Sequence, residues 1–326
     1  MKETDPENIK LSHQISWKAT DDEMLFFQQI GIRWAQMHWC TEPPAMDGIS
    51  AFQKRLSEHD IQIYSGRHDA YHSTKIQLGQ AGRDEDIETY GEFIRILGEL
   101  GIPVAVYDFH PGNTYSTDRV VRRGYSARVF DLEDFKKKVE KQRYDRTYTT
   151  EEIWENYTYF VNAVLPQAEA SDVILALHPD DPPLETMNGV GKMITHYNGY
   201  KRAEEVSSGS KHWGLLFCVG TWSEGGDQMG KDVFEMIEDF GGRGKIAQIH
   251  FRNVSAPLPH FEETYPDDGY MDMSKVMNAL RQVGFSGAVM PDHIPQLVGD
   301  ENSRAGLAYC ISYMRALLQR ANDDIG

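Results

Sequence analysis

Eight short apolar runs, separated by stretches of helical periodicity, constrain this sequence more than any other feature. They are IKLSHQI (9–15), IRWAQM (32–37), IQIYSG (61–66), IPVAVYDFH (102–110), VILAL (173–177), WGLLFCVG (213–220), KIAQIHFRN (245–253) and GAVMPDH (287–293). Each is short for a helix and long enough for a buried strand. In the first, Ile9, Leu11, His13 and Ile15 share one face. Apolar residues at helical spacing predict helices over 21–31, 48–60, 84–101, 151–169, 229–241, 272–284 and 303–321. Strand and helix in alternation predict a parallel α/β architecture. No Gly-x-Gly-x-x-Gly fingerprint follows the first strand, which weighs against a dinucleotide-binding doubly wound sheet. The prediction is one (β/α)8 barrel domain spanning 1–326.

Four of these strands end alike. The run 173–177 stops in His178, followed by Pro179, Asp180, Asp181, Pro182 and Pro183, and the prolines stiffen the exit. Later strands reach Cys218, His250 and Asp292 at their C-terminal ends. Taken singly, a histidine at a strand end or a cysteine in LLFCVG is ordinary packing. Strand ends of a parallel barrel converge at one mouth, however, so His178, Cys218, His250 and Asp292 together form a candidate metal site. Two imidazoles, a thiolate and a carboxylate suit zinc, iron, cobalt or manganese, and the residues do not choose among them.

Other candidates surround that set. Arg252 lies two residues beyond His250, so Gln248, His250 and Arg252 share the inward face of a strand. An arginine there suits a substrate carboxylate. Asp108 and His110 share a face at the end of strand four and are candidate substrate contacts. His293 follows Asp292 and can turn over the site as an acid or base. Tyr270, after the Asp267-Asp268-Gly269 turn, is a further catalytic candidate at the mouth.

Residues 111–150 break the rhythm. This insertion is longer than a usual strand–helix loop and predicts a lid or a helix of its own. Its basic side chains Arg119, Arg122, Arg123 and Arg128 are expected on the lid surface. A net charge of −17 disfavours nucleic acid and favours a small-molecule ligand. Three cysteines, at 40, 218 and 310, make no disulfide framework and suggest a reducing compartment. No run approaches transmembrane length, and MKETDPENIK has no signal-like apolar centre, so a cytoplasmic protein without a membrane partner is expected.

Five motifs then carry a resemblance. HPDDPP (178–183), FCVGTW (217–222), HFRNV (250–254), DDGYMDM (267–273) and PDH (291–293) resemble, in order and spacing, the mannonate dehydratase family of xylose-isomerase-like barrels. The resemblance implies that His178, Cys218, His250 and Asp292 bind a metal, usually Mn²⁺, with Fe²⁺ or Co²⁺ as other possible ions. It implies that Arg252 binds substrate and that His293 takes part in proton transfer. The implied reaction is dehydration of a sugar acid, D-mannonate to 2-keto-3-deoxy-D-gluconate, by a homo-oligomer. A metal-dependent sugar isomerase or epimerase on the same barrel is the alternative. Two departures stand out. The strand-four exit reads DFHP (108–111) where the family has an N-F-M-P-type stretch, and no tyrosine precedes Arg304-Ala305-Gly306.

Overall fold

The computed structural model describes residue 1 and residues 5–40 and 43–325. Eight parallel strands close into a barrel: β1 (Lys10–Ser16), β2 (Trp34–Trp39), β3 (Gln62–His68), β4 (Val104–Tyr107), β5 (Ile174–Leu177), β6 (Trp213–Cys218), β7 (Ile246–His250) and β8 (Ala288–Met290). Each pairs with its neighbour in sequence, and β8 returns to β1 through Lys10↔Ala288. The apolar face of β1 (Ile9, Leu11, Ile15) is buried in the main hydrophobic core, which also takes in the surrounding helices. The opposite face, Ser12 and Gln14, therefore points into the barrel, as strand alternation requires.

The helices sit where periodicity predicts, with local reasons for their starts. Thr20 with Glu23 caps Asp21–Gln29, and Thr149 with Glu152 caps Thr150–Ala170, each as a reciprocal capping box. The predicted helix over 229–241 is an α-helical turn, Val233–Met236, that continues as a π-helical segment, Ile237–Gly241. The helix Tyr197–Val206 and the seven-residue helix Val219–Gly225 escaped the sequence reading, the second because strand six was expected to run to Gly220; Tyr197–Val206 is the longer. It buries little apolar surface, chiefly Tyr200 and Ala203, so its pattern is faint.

Two bulges set the register at the mouth. Ala35 pairs with Ile63 while Gln36 pairs with Ser65, so Tyr64 is the extra residue in β3. Likewise Leu215 pairs with Ile246 and Leu216 with Gln248, leaving Ala247 extra in β7. The bulges face each other across the barrel, where the Tyr64 hydroxyl donates to the Ala247 carbonyl at 2.9 Å. Val104, Val106, Ala176, Leu216 and Ala247 fill the barrel interior. A polar chain crosses it, in which Ser65 donates to Gln248, Gln248 to Gln36, and Gln36 to Gln14.

The 111–150 insertion forms a β-hairpin, Asp118–Arg122 with Tyr125–Asp131, followed by a short helical turn through Val139. The hairpin joins His260–Thr264 and Asn253–Val254 in a four-stranded antiparallel sheet. Phe130 and Phe135 pack with Met187, Val254 and Phe261 beneath it. Its arginines are not free lid surface. Arg122 binds Asp268 and Glu262, and Arg123 binds Asp267, so the hairpin is pinned to the Asp267-Asp268-Gly269 turn. Among the described residues, no helix is long and apolar enough to cross a membrane.

Candidate active site

The ends of β5, β6 and β7 bring His178, Cys218 and His250 together, with donor atoms all within 4.8 Å of one another. The His178 ring is oriented by its own Nδ1, 2.8 Å from the Pro179 carbonyl, which leaves Nε2 for the cluster. His250 has both ring nitrogens buried without a hydrogen-bond partner. Buried polar atoms without partners are costly, so this pair calls for another ligand. Asp292, after β8, places Oδ2 3.4 Å from His250 Nδ1. Burial would raise the Cys218 thiol, but Arg252, His178 and His250 outweigh it and hold it well below its ordinary value. Asp292 is held low in the same way, burial being outweighed by His293, His250 and Arg252. Two anionic donors beside two imidazoles fit a divalent cation. Two other groups of donors lie equally close, His38–Cys40–Asp69 and His72–Asp108–His110. Their histidines are already engaged, His38 with Asp69 at 2.9 Å and His72 with Asp108 at 2.6 Å.

Arg252 is placed differently from expectation. Its strand ends at His250, and the guanidinium lies behind the cluster, 1% exposed. It donates to Asp181 at 2.7 Å and Thr221 at 3.1 Å, and pairs with Glu224. Its Nη2 is also 3.7 Å from the Cys218 sulfur. Gly220 admits this packing, because a Cβ there would stand 2.6 Å from Arg252 Nε. Arg252 is not among the residues that line the cavity, and its Nη groups are held by buried carboxyl groups.

A cavity of about 120 Å³ opens above the cluster. His293 lines it, in a left-handed backbone conformation with φ 46° that turns the ring inward beside Asp292. Its Nδ1 lies 2.7 Å from Glu263. Burial alone would lower the His293 pKa, but Asp292 and Glu263 raise it to about 9. On another wall, His110 Nε2 lies 3.0 Å from both Asp108 Oδ1 and the Tyr115 hydroxyl. Burial lowers His110 to about 4, against the opposing pull of Asp108. Asp108 also accepts from Tyr71 at 3.2 Å. Tyr115, carried by the insertion, stands between the two histidines, its ring 6.0 Å from His110 and 5.7 Å from His293.

Sequence and structure comparisons agree on one relationship. The D-mannonate dehydratase (UxuA) family profile matches residues 123–320. The mannonate dehydratase of Oceanobacillus iheyensis is 31% identical over 288 residues, 80% of each chain. The chain belongs to the D-mannonate dehydratase family. A second relative, the mannonate dehydratase of Streptococcus pneumoniae, is 31% identical over 74% of this chain and 71% of its own. The crystal structure of mannonate dehydratase from Streptococcus suis serotype 2 superposes with a TM-score of 0.85 at 27% identity, over 98% of this chain and 96% of that one. D-Psicose 3-epimerase from Clostridium cellulolyticum H10 matches with a TM-score of 0.64 at 13% identity, over 94% of this chain and 99% of its own. That likeness is one of fold alone, the xylose-isomerase-like barrel.

Against this family background, the expected site residues separate into two groups. His178, His250, Asp292, His293, Asp108 and His110 line one cavity, and Cys218 joins His178 and His250 in the cluster at its edge. Arg252 and Tyr270 do not line it. The Tyr270 hydroxyl donates to the Ser223 carbonyl at 2.7 Å and its ring is 44% exposed, so it closes the turn and does not reach the cavity. Arg67, Tyr115 and Glu263 were missed. Arg67 was hidden because strand three read as ending at Gly66, whereas β3 runs to His68 and its bulge turns Ser65 and Arg67 inward. Nothing local marks Tyr115 or Glu263, whose roles depend on the added sheet.

Proposed function

We infer that this protein dehydrates a sugar acid, with D-mannonate the favoured substrate and 2-keto-3-deoxy-D-gluconate the product. The observation that carries the reading is the cluster of His178, Cys218 and His250 at the foot of a cavity that His293 also lines, in a chain of this family. His178, Cys218, His250 and Asp292 would hold a divalent cation. Manganese is the ion assigned, and Fe²⁺ or Co²⁺ suit the same donors. When bound, the cation supplies positive charge that stabilises the negative charge developing beside the substrate carboxylate.

The remaining work falls to the chain's own residues. The proton alpha to the carboxylate is poorly acidic and needs a positioned base. His110, held by Asp108, supports that role. His293, fixed by Glu263, is set to protonate the hydroxyl leaving the neighbouring carbon. One C–H and one C–O bond break, water departs, and the resulting enol tautomerises to the 2-keto acid. Two histidines biased toward opposite protonation states suit an acid–base pair. Three cysteines and no membrane-length helix among the described residues support a cytoplasmic setting, and homo-oligomerisation is part of the same reading.

The test is turnover of a sugar-acid panel by metal-stripped protein reloaded with Mn²⁺, followed by NMR. Metal-dependent 2-keto-3-deoxy product from D-mannonate is expected. Isomerised sugar without loss of water would overturn the reading. Cys218→Ser and His178→Ala should both lose bound metal, and full metal content in both would refute the ligand set.

A further inference from the structure

A sugar acid brings a carboxylate into a cavity whose walls already carry Asp108, Asp181 and Asp292. Unopposed, those acids would repel it. Arg252, the expected counter-charge, is absent from that lining, and its Nη groups are taken up by Asp181 and Glu224. Among the described residues that line the cavity, Arg67 is the one lysine or arginine.

Its surroundings leave the guanidinium under-used. Nε is buried without a hydrogen-bond partner, and its ion-pair contact to Asp69 is long, at 3.6 Å. One Nη reaches His72 Nδ1 only at 3.4 Å. Nearby carboxylates make the site a stable place for a permanent cation without forming the short bidentate pair that would occupy its donors. A planar fork with free N–H groups is the donor geometry that carboxylates match. β3 also lies four strands from β7, across the barrel from His250. A ligand can therefore be held between the two walls.

We propose that Arg67 is the carboxylate-binding and specificity-determining residue of this cavity, selecting acidic over neutral sugars. The proposal rests on the sugar-acid reading above, and its test is chosen to be scored separately. The probes are 3-deoxy-D-mannonate, which lacks the leaving hydroxyl and so cannot be dehydrated, and its uncharged alcohol, 3-deoxy-D-mannitol. Binding of both to Mn²⁺-loaded protein is measured by calorimetry, for wild type, Arg67→Met and Arg67→Lys.

Arg67→Met should weaken the acid by about tenfold or more and leave the alcohol unchanged, since a charge-assisted hydrogen bond to a carboxylate is lost. Arg67→Lys should recover part of the affinity, because a point charge replaces the fork. With D-mannonate as substrate, the same loss should appear in KM. Equal weakening of acid and alcohol would overturn the proposal and mark Arg67 as structural. Acid binding within about twofold of wild type in Arg67→Met would also overturn it. So would a wild-type protein that fails to bind the acid at all. If wild type binds the acid through Arg67 but dehydrates no sugar acid, the dehydratase reading fails while this assignment stands.

Discussion

Replacing Arg252 with methionine should destabilise the protein instead of simply loosening substrate binding. The side chain is completely buried and compensates Asp181, which is 2% exposed, while it also donates to Glu224, whose carboxyl burial pushes well above its ordinary range. Removing one partner of a buried ion pair costs roughly 3–5 kcal/mol, because the remaining charges are left without solvent or counter-ion. An unfolding entropy of about 2.1 cal/mol/K per residue, over 326 residues, gives roughly 0.7 kcal/mol/K. The expected fall in Tm is therefore about 4–7 °C. The loss should depend on pH. Burial alone would raise the Asp181 carboxyl, but Arg252 overrides it and holds the group below its ordinary range. Such a depressed carboxylate contributes stability above its unfolded pKa, which is lost as pH falls through the folded value. Without Arg252, burial is opposed only by the weaker pull of His293 and His178, and protonation at low pH relieves the uncompensated charge. The Tm gap between wild type and Arg252→Met should thus narrow as pH falls toward the ordinary carboxylate range. Calorimetric melts of the metal-saturated proteins test this. A Tm within about 1 °C of wild type, with a raised KM for the sugar acid, would refute the argument and return Arg252 to the substrate.

Gly220→Ala should perturb the same network from the other side, since its Cβ would meet Arg252 Nε at 2.6 Å; a loss of about 1–3 kcal/mol by denaturant unfolding is expected. Glu263→Gln should lower the alkaline limb of the kcat/KM profile by about one pH unit, because Glu263 is one of the charges holding His293 protonated to about 9. An unchanged alkaline limb would separate His293 from the reaction. Tyr270→Phe removes a hydrogen bond to Ser223 and should cost about 1 kcal/mol of stability while leaving kcat unchanged. A large fall in its kcat would restore Tyr270 to the chemistry.

The parts of this site that were legible were those set by local pattern. Short apolar runs can only be buried strands here, and their polar ends must meet where the strands emerge. His178, Cys218, His250 and Asp292 follow from that rule. Arg252 obeyed the same rule in sequence and departed from it in space. Its strand stops two residues earlier, and the pocket made by Gly220, Asp181 and Glu224 draws the guanidinium behind the cluster. The insertion's own helical turn agrees with the expectation, but its hairpin was not legible, because the pairing partner, His260–Thr264, lies more than a hundred residues away.

By itself the sequence determined the eight-fold strand–helix alternation, the barrel and the residue types at its mouth, since hydrophobic periodicity and strand termini are local properties. Only the tertiary structure decided which cation faces the cavity. A single extra residue at Tyr64 shifts the inward face of β3 onto Arg67, while long-range carboxylates sequester Arg252. Side-chain direction at a barrel mouth depends on register and on partners from distant strands, neither of which is written in the neighbouring residues.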